Sequence, residues 1–276
     1  LALITTLGTE AHTAPPRIRR YSVLHTTQIL VSFSIGIMLI LVTPLREVAP
    51  FIGIIIAATL VLLIDLPFVF KRMRGGNVQP EKAKTYFKYG MPICVSLLLT
   101  YALSSGDMFL ITAFMGEGAA GQYNAGYNLA NRSLDVLFVW IAMAVTPIAI
   151  TALEQEGLER SRDVLKSYGA MLLWLSMPAA TGIALVAEPA GFILGDSVRT
   201  EAVKIMPMIA FAGVFNGMIS YYAQRAFMLS GHTQMFVWAM VPPVILNIGL
   251  NIWLIPTMGL MGAVYATVAA YALGLV

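Results

Sequence analysis

The sequence predicts an all-α polytopic membrane protein. Three observations carry that expectation. The 276 residues are 58% hydrophobic and 11% charged, with a mean hydropathy of +0.79, whereas an average soluble domain carries about 25% charged residues. The apolar residues fall into runs long enough to cross a ~30 Å hydrocarbon core as helices, which takes about 20 residues. The runs are continuous, without the period-two alternation of a membrane barrel, and backbone groups in lipid must be satisfied within the segment, which selects helices.

Seven such runs occupy residues 21–42, 50–70, 89–115, 121–151, 167–194, 203–230 and 233–255, and an eighth, 260–276, is cut by the end of the sequence. The chain starts at Leu1 and stops at Val276 inside an apolar run, so it is expected to be a piece with both ends missing: about eight transmembrane helices. The links are short. The longest, residues 71–88 (KRMRGGNVQPEKAKTYFK), is polar and basic and carries Gly75-Gly76. It is the expected joint between two bundles, residues 1–70 and 89–276.

Charge placement predicts orientation, because Lys and Arg are retained on the cytoplasmic side. Alternate links hold 13 Lys and Arg: Arg17, Arg19 and Arg20, six in 71–88, then Arg160, Arg162, Lys166 and Arg225. The other side holds 3, Arg46, Arg199 and Lys204. Links 71–88 and 154–166 are therefore expected in the cytoplasm.

Polar groups in hydrocarbon need a reason. Asn124, Asn128, Asn131 and Asp135 are spaced four, three and four, and at about 100° per residue they lie within about 60° of one another. Arg132 flanks that stripe. It is read as the wall of a water-filled cavity, the alternative being helix–helix glue through Asn hydrogen bonds. Asp107, in the preceding span, should lie at a similar depth to Arg132, and an ion pair between them is expected, either structural or sensing a substrate or coupling ion. Asn216, Ser220 and Gln224 are each four apart, beside Tyr221 and Tyr222; Asn247 and Asn251 are also four apart. Each set marks one face, of a shared cavity or of a packing contact. Asp65 is explained by snorkelling to the cytoplasmic interface. Pro242 and Pro243 lie deep in the seventh span, where they should bend it.

Catalysis finds no support. His12, His25 and His232 are not spaced as metal ligands, the Gly75-Gly76 pair lacks a phosphate-loop pattern, and the one cysteine, Cys94, excludes an intrachain disulfide and is expected as a small packing residue. No enzyme activity, resident cofactor or nucleic-acid partner is expected.

From the third span on, several motifs recur in order: Tyr89-Gly90-Met91-Pro92; Ser105-Gly106-Asp107-Met108-Phe109-Leu110; Gly121-Gln122-Tyr123-Asn124-Ala125-Gly126-Tyr127-Asn128-Leu129-Ala130; Ala187-Glu188-Pro189; Asn251-Ile252-Trp253-Leu254-Ile255-Pro256; and Gly259-Leu260-Met261-Gly262-Ala263. Together they resemble the bacterial polysaccharide biosynthesis and export family, flippases of lipid-linked oligosaccharides in the multidrug/oligosaccharidyl-lipid/polysaccharide exporter superfamily. The resemblance covers most of 89–276, and the pair 21–70 fits it by hydropathy. It implies two bundles, usually of six helices each, around a central cavity. It implies transport of undecaprenyl-pyrophosphate-linked sugar units across the bacterial inner membrane by alternating access, for cell-surface polysaccharide such as the O-antigen of lipopolysaccharide, alongside other assembly proteins. On that resemblance Arg132 would contact the anion, and Tyr123, Asn124, Tyr127, Asn128 and Asn131 the sugar. A cation-coupled multidrug exporter or lipid II flippase of the same superfamily is the alternative, with Asp107 or Asp135 serving coupling to H+ or Na+. A membrane glycosyltransferase or polymerase would need a sizeable extramembrane loop, and the links are too short for one.

Overall fold

The computed structural model describes residues 18–44, 48–73 and 80–275. Those residues are overwhelmingly helical, with no strand among them. Among the described residues, seven helices are long and apolar enough to cross a membrane, and a shorter apolar helix follows them. The chain is a multi-pass α-helical membrane protein. It divides into two compact units, residues 1–80 and 81–276.

The first unit is a helical pair, α1 (Ile18–Val42) and α2 (Ala49–Met73). Lipid tails are as apolar as leucine, so association in a bilayer depends on close packing rather than on the hydrophobic effect. Glycine supplies that here. A Cβ on Gly53 would sit 2.6 Å from the Ser32 carbonyl oxygen and 2.8 Å from the Gly36 nitrogen. Phe33, Leu41, Phe51 and Ile64 point outward, as side chains of a lipid-facing span do. Asp65 corrects the sequence expectation: it is only 4% exposed, covered by protein rather than reaching out to an interface.

The second unit begins with α3 (Pro80–Met115) and α4 (Glu117–Glu156). Pro80 opens α3, where its missing N–H is harmless, and Glu81 favours the positive end of the helix dipole. The helix therefore starts inside the stretch read as a polar link. At 36 and 40 residues, α3 and α4 are about 54 and 60 Å long, well beyond the hydrocarbon core. There follow α5 (Leu158–Leu185), the single turn α6 (Ala187–Ala190) with a 3₁₀ turn at Gly191–Ile193, and α7 (Asp196–Gly217). A π-helical segment, Met218–Ala223, joins α7 without a break to α8 (Gln224–Leu229). Then come α9 (Thr233–Met258) and α10 (Leu260–Leu273). The run read as one span, 167–194, is thus broken at Val186. α9 continues as a helix through Pro242 and Pro243.

The reversals are tighter than the hydropathy suggests. Gly116 (φ 86°), Gly157 (φ 87°) and Gly259 (φ 60°) each stand alone between two helices. Positive φ is open to glycine at little steric penalty, so one residue does the work of a loop.

The core forms where α7 packs on α4, α5 and α10, around Leu134, Phe138, Leu172, Ile205 and Ile209. Here too the backbones close on glycine. A Cβ on Gly126 would lie 2.6 Å from the Ala202 carbonyl oxygen, and one on Gly217 would lie 2.1 Å from the Phe138 ring. All four tryptophans, Trp140, Trp174, Trp238 and Trp253, lie outside that core on exposed faces. Cys94, expected as a packing residue, is also exposed. Helix α3 approaches the others sparsely along the backbone, and side chains join it to the unit: Leu103 packs with Ala212, Ile219 and Tyr271, and Ile111 joins the core around α4.

Candidate functional site

The polar residues of the second unit separate into an open cleft and a closed knot, and helix α4 contributes to both. The cleft has a volume of about 350 Å³. Asn124, Asn128, Asn131, Arg132 and Asp135 line it from α4, Asn216 from α7, and Ser220 and Tyr221 from the π-helical segment. The opposite wall is α3, through Thr100, Tyr101, Ser104 and Ser105. Tyr127 reaches its edge. The spacing of the α4 stripe therefore does place its members on one accessible face.

Within the cleft the partners are mostly local. The Asn128 amide donates to the Asn124 carbonyl at 2.9 Å and also to the Asn124 side-chain oxygen. Arg132 lies 3.3 Å from Asp135, whose carboxylate the Asn131 amide approaches at 3.4 Å. Arg132 is 75% exposed and Asp135 21%. The guanidinium has five N–H donors and commits one group to Asp135, and at 75% exposure the rest are accessible. Ser220 Oγ lies 3.5 Å from Asn216 Oδ1.

The knot is built on Asp107, which is 1% exposed. Its Oδ1 accepts from Asn251 Nδ2 of α9 at 2.8 Å, and its Oδ2 accepts from the Tyr123 hydroxyl of α4 at 3.0 Å. The Thr267 hydroxyl of α10 lies 2.5 Å from the same oxygen and 2.9 Å from the Ala263 carbonyl, with one proton to offer both. Tyr127 and Tyr271 meet at 3.1 Å between hydroxyl oxygens, and the Tyr123 and Tyr127 rings stack at 5.9 Å. Four helices thus converge on one carboxyl group. Among the described residues, Asn247 Nδ2, Asn247 Oδ1 and Asn251 Oδ1 are buried without a hydrogen-bond partner. A bare carboxylate is costly in low dielectric, and multiple donors are what make such burial tolerable.

Two sequence expectations change. The Asp107–Arg132 ion pair does not form: the residues lie on different faces of the packing, Arg132 takes Asp135, and Asp107 takes neutral donors. The thirteen sequence-selected residues also do not share one cavity. Asp107, Tyr123, Asn247 and Asn251 belong to the knot, and Gln224 lies past the π-helical segment in a separate cleft. The sequence reading missed Thr267 and Tyr271, four apart in an otherwise apolar helix, and the hydroxyl face of α3. Thr100, Ser104 and Ser105 repeat at helical spacing, so that signal was present.

Residues 17–153 match the polysaccharide biosynthesis protein family. The resemblance read in the sequence is borne out over α1 to α4, a stretch that holds Asp107 and the whole α4 stripe. It takes in the first helical pair, which hydropathy alone had linked to the family. The chain is also 25% identical over 237 residues to the uncharacterized membrane protein YabM of Bacillus subtilis (strain 168), an alignment covering 79% of this chain and 43% of that relative. The chain spans less than half the length of that relative. No solved structure matches the chain.

Proposed function

We propose that this chain is part of a transporter that turns undecaprenyl-pyrophosphate-linked oligosaccharide across the bacterial inner membrane by alternating access. The cleft between α3, α4 and α7 carries the reading. Its walls offer amides and hydroxyls from three elements, and the hydroxyls of a sugar are matched by such groups. Arg132 and Asp135 cancel in charge, so the cleft favours a neutral glycan over a bare anion. The family match supports membership in polysaccharide assembly, and the charge distribution supports a cytoplasmic placement of the 154–166 link. On this reading the chain makes and breaks no covalent bond; its substrate is the lipid-linked glycan, and its surroundings are the bilayer and other polysaccharide assembly proteins.

The deciding experiment removes the gene from its host and follows surface polysaccharide together with lipid-linked intermediates. The expected result is loss of surface glycan with accumulation of the lipid-linked unit on the cytoplasmic face. Unchanged glycan with raised sensitivity to cationic drugs would overturn it in favour of a multidrug exporter.

One observation favours ion coupling, a property the exporter and lipid II flippase alternatives would share. Asp107 is a buried carboxyl group with no Lys or Arg paired to it among the described residues, and unpartnered amide oxygens of Asn247 and Asn251 lie nearby. Exchange of H+ or Na+ there would change the charge at the junction of α3, α4, α9 and α10. Glycan export that survives Asp107→Asn at normal expression would remove Asp107 from any coupling role.

A further inference from the structure

The α4 cleft is electrically balanced by Arg132 and Asp135, yet the proposed substrate carries phosphate, which calls for a cationic group without a carboxylate partner. One stands out. Beyond the π-helical segment a second cleft of about 330 Å³ opens between α4, α5 and α8. It lies toward the end of the unit where α4 runs into Gly157 and α8 into Gly231, the end that the charge distribution assigns to the cytoplasm. Ser220 lines both clefts.

Arg225 is the cation in this second cleft. Its Nη1 donates to Thr146 Oγ1, and the Thr146 hydroxyl donates in turn to the Ala142 carbonyl at 2.6 Å. The guanidinium carbon sits 5.9 Å from the centre of the Tyr221 ring. Among the described residues no carboxylate pairs with it, and its Nε is buried without a hydrogen-bond partner. Tyr168 of α5 is 3% exposed, and its hydroxyl also lacks a partner. The Tyr168 ring is braced by Tyr222 at 6.5 Å, which packs where Gly169 has no side chain. Buried donors without acceptors are rare in native structures and ask for an explanation. Here the two residues that carry them, one charged, line the same cavity, with Gln224 beside them and Ile150, Leu165 and Met228 completing an apolar wall. Among the described residues no Asp or Glu lines it.

We propose that Arg225 and Tyr168 form an anion subsite for the phosphate of a lipid head group, with the apolar wall against the first part of its chain. Arginine matches phosphate oxygens through its planar fork of donors. A tyrosine hydroxyl with no other acceptor adds a second bond. The assignment rests on the transporter reading only in the choice of a prenyl pyrophosphate as first probe.

The test uses the purified protein in nanodiscs of zwitterionic lipid, titrated with farnesyl pyrophosphate. Arg225→Gln should weaken binding about tenfold or more, the size of one lost charge-assisted contact. Arg225→Lys should recover part of that loss, and Tyr168→Phe, which removes only a hydroxyl, should weaken binding less. Arg162→Gln, an exposed residue paired with Glu159, should leave binding unchanged. Equal competition by inorganic pyrophosphate would support the phosphate site and assign it to the free anion; competition by phosphatidylglycerol nanodiscs would support it and assign it to bilayer lipid. If Arg225→Gln and Tyr168→Phe bind as the parent does, the subsite does not exist. That failure leaves the export reading intact, since gene deletion tests the latter separately. Conversely, Arg225-dependent binding with unchanged surface glycan would sink the export reading and keep the subsite.

Discussion

Tyr123 and Asn124 are neighbours in sequence and live in different environments. Tyr123 is sealed into the Asp107 knot, while Asn124 faces the open cleft. The same alternation continues with Tyr127 and Asn128, so one helix presents a closed polar face and an accessible one about a quarter turn apart. In the knot, donors from three helices reach one carboxyl group across the packing. In the cleft, partners come mostly from the same helix, three or four residues away. Polar groups that must hold helices together are tied across elements; polar groups free to meet something else are tied locally. A membrane protein can thus keep hydrophilic residues in one helix for two purposes without confusing them.

Substitutions in the two regions should therefore part in stability. The largest loss is expected for Asp107→Ala, which strands Tyr123, Asn251 and Thr267 at once. It should destabilise by about 3 kcal/mol, read as a lowered unfolding midpoint in detergent, and should free α3, read as faster hydrogen exchange there. A midpoint equal to the parent's would erase the contrast. Gly217→Ala, which places a methyl group against Phe138, should lose about 2 kcal/mol by overpacking the α4–α7 contact. Thr267→Val retains shape and removes a hydroxyl, and should lose about 1 kcal/mol. Asn128→Ala and Arg132→Ala should stay within about 0.5 kcal/mol while glycan export falls. Unchanged export at normal expression would show that the cleft does not meet the substrate.

Much of this was legible beforehand. Continuous apolar runs located the spans, since a helix is the one open structure lipid permits. The four-three-four spacing of the α4 amides foretold their common face. The knot was not legible, because its members are up to 160 residues apart: Asp107 and Thr267 meet through tertiary packing, and a lone threonine in an apolar helix looks like any back-bonded hydroxyl. Opposite charge and similar depth paired Asp107 with Arg132, but Asp135 was one helical turn from Arg132 and neutral donors were available to Asp107. The single-glycine reversals escaped for another reason. Hydropathy measures where lipid ends, whereas these helices continue past that point as solvated rods.

Those lone glycines at 116, 157 and 259 have a mechanical side. With one residue between consecutive helices, the facing ends of α3 and α4, and of α4 and α5, cannot draw apart, although glycine leaves each joint free to bend. A displacement at Gly157 therefore reaches Gly116 through the full length of α4, with the bend taken up at the glycines.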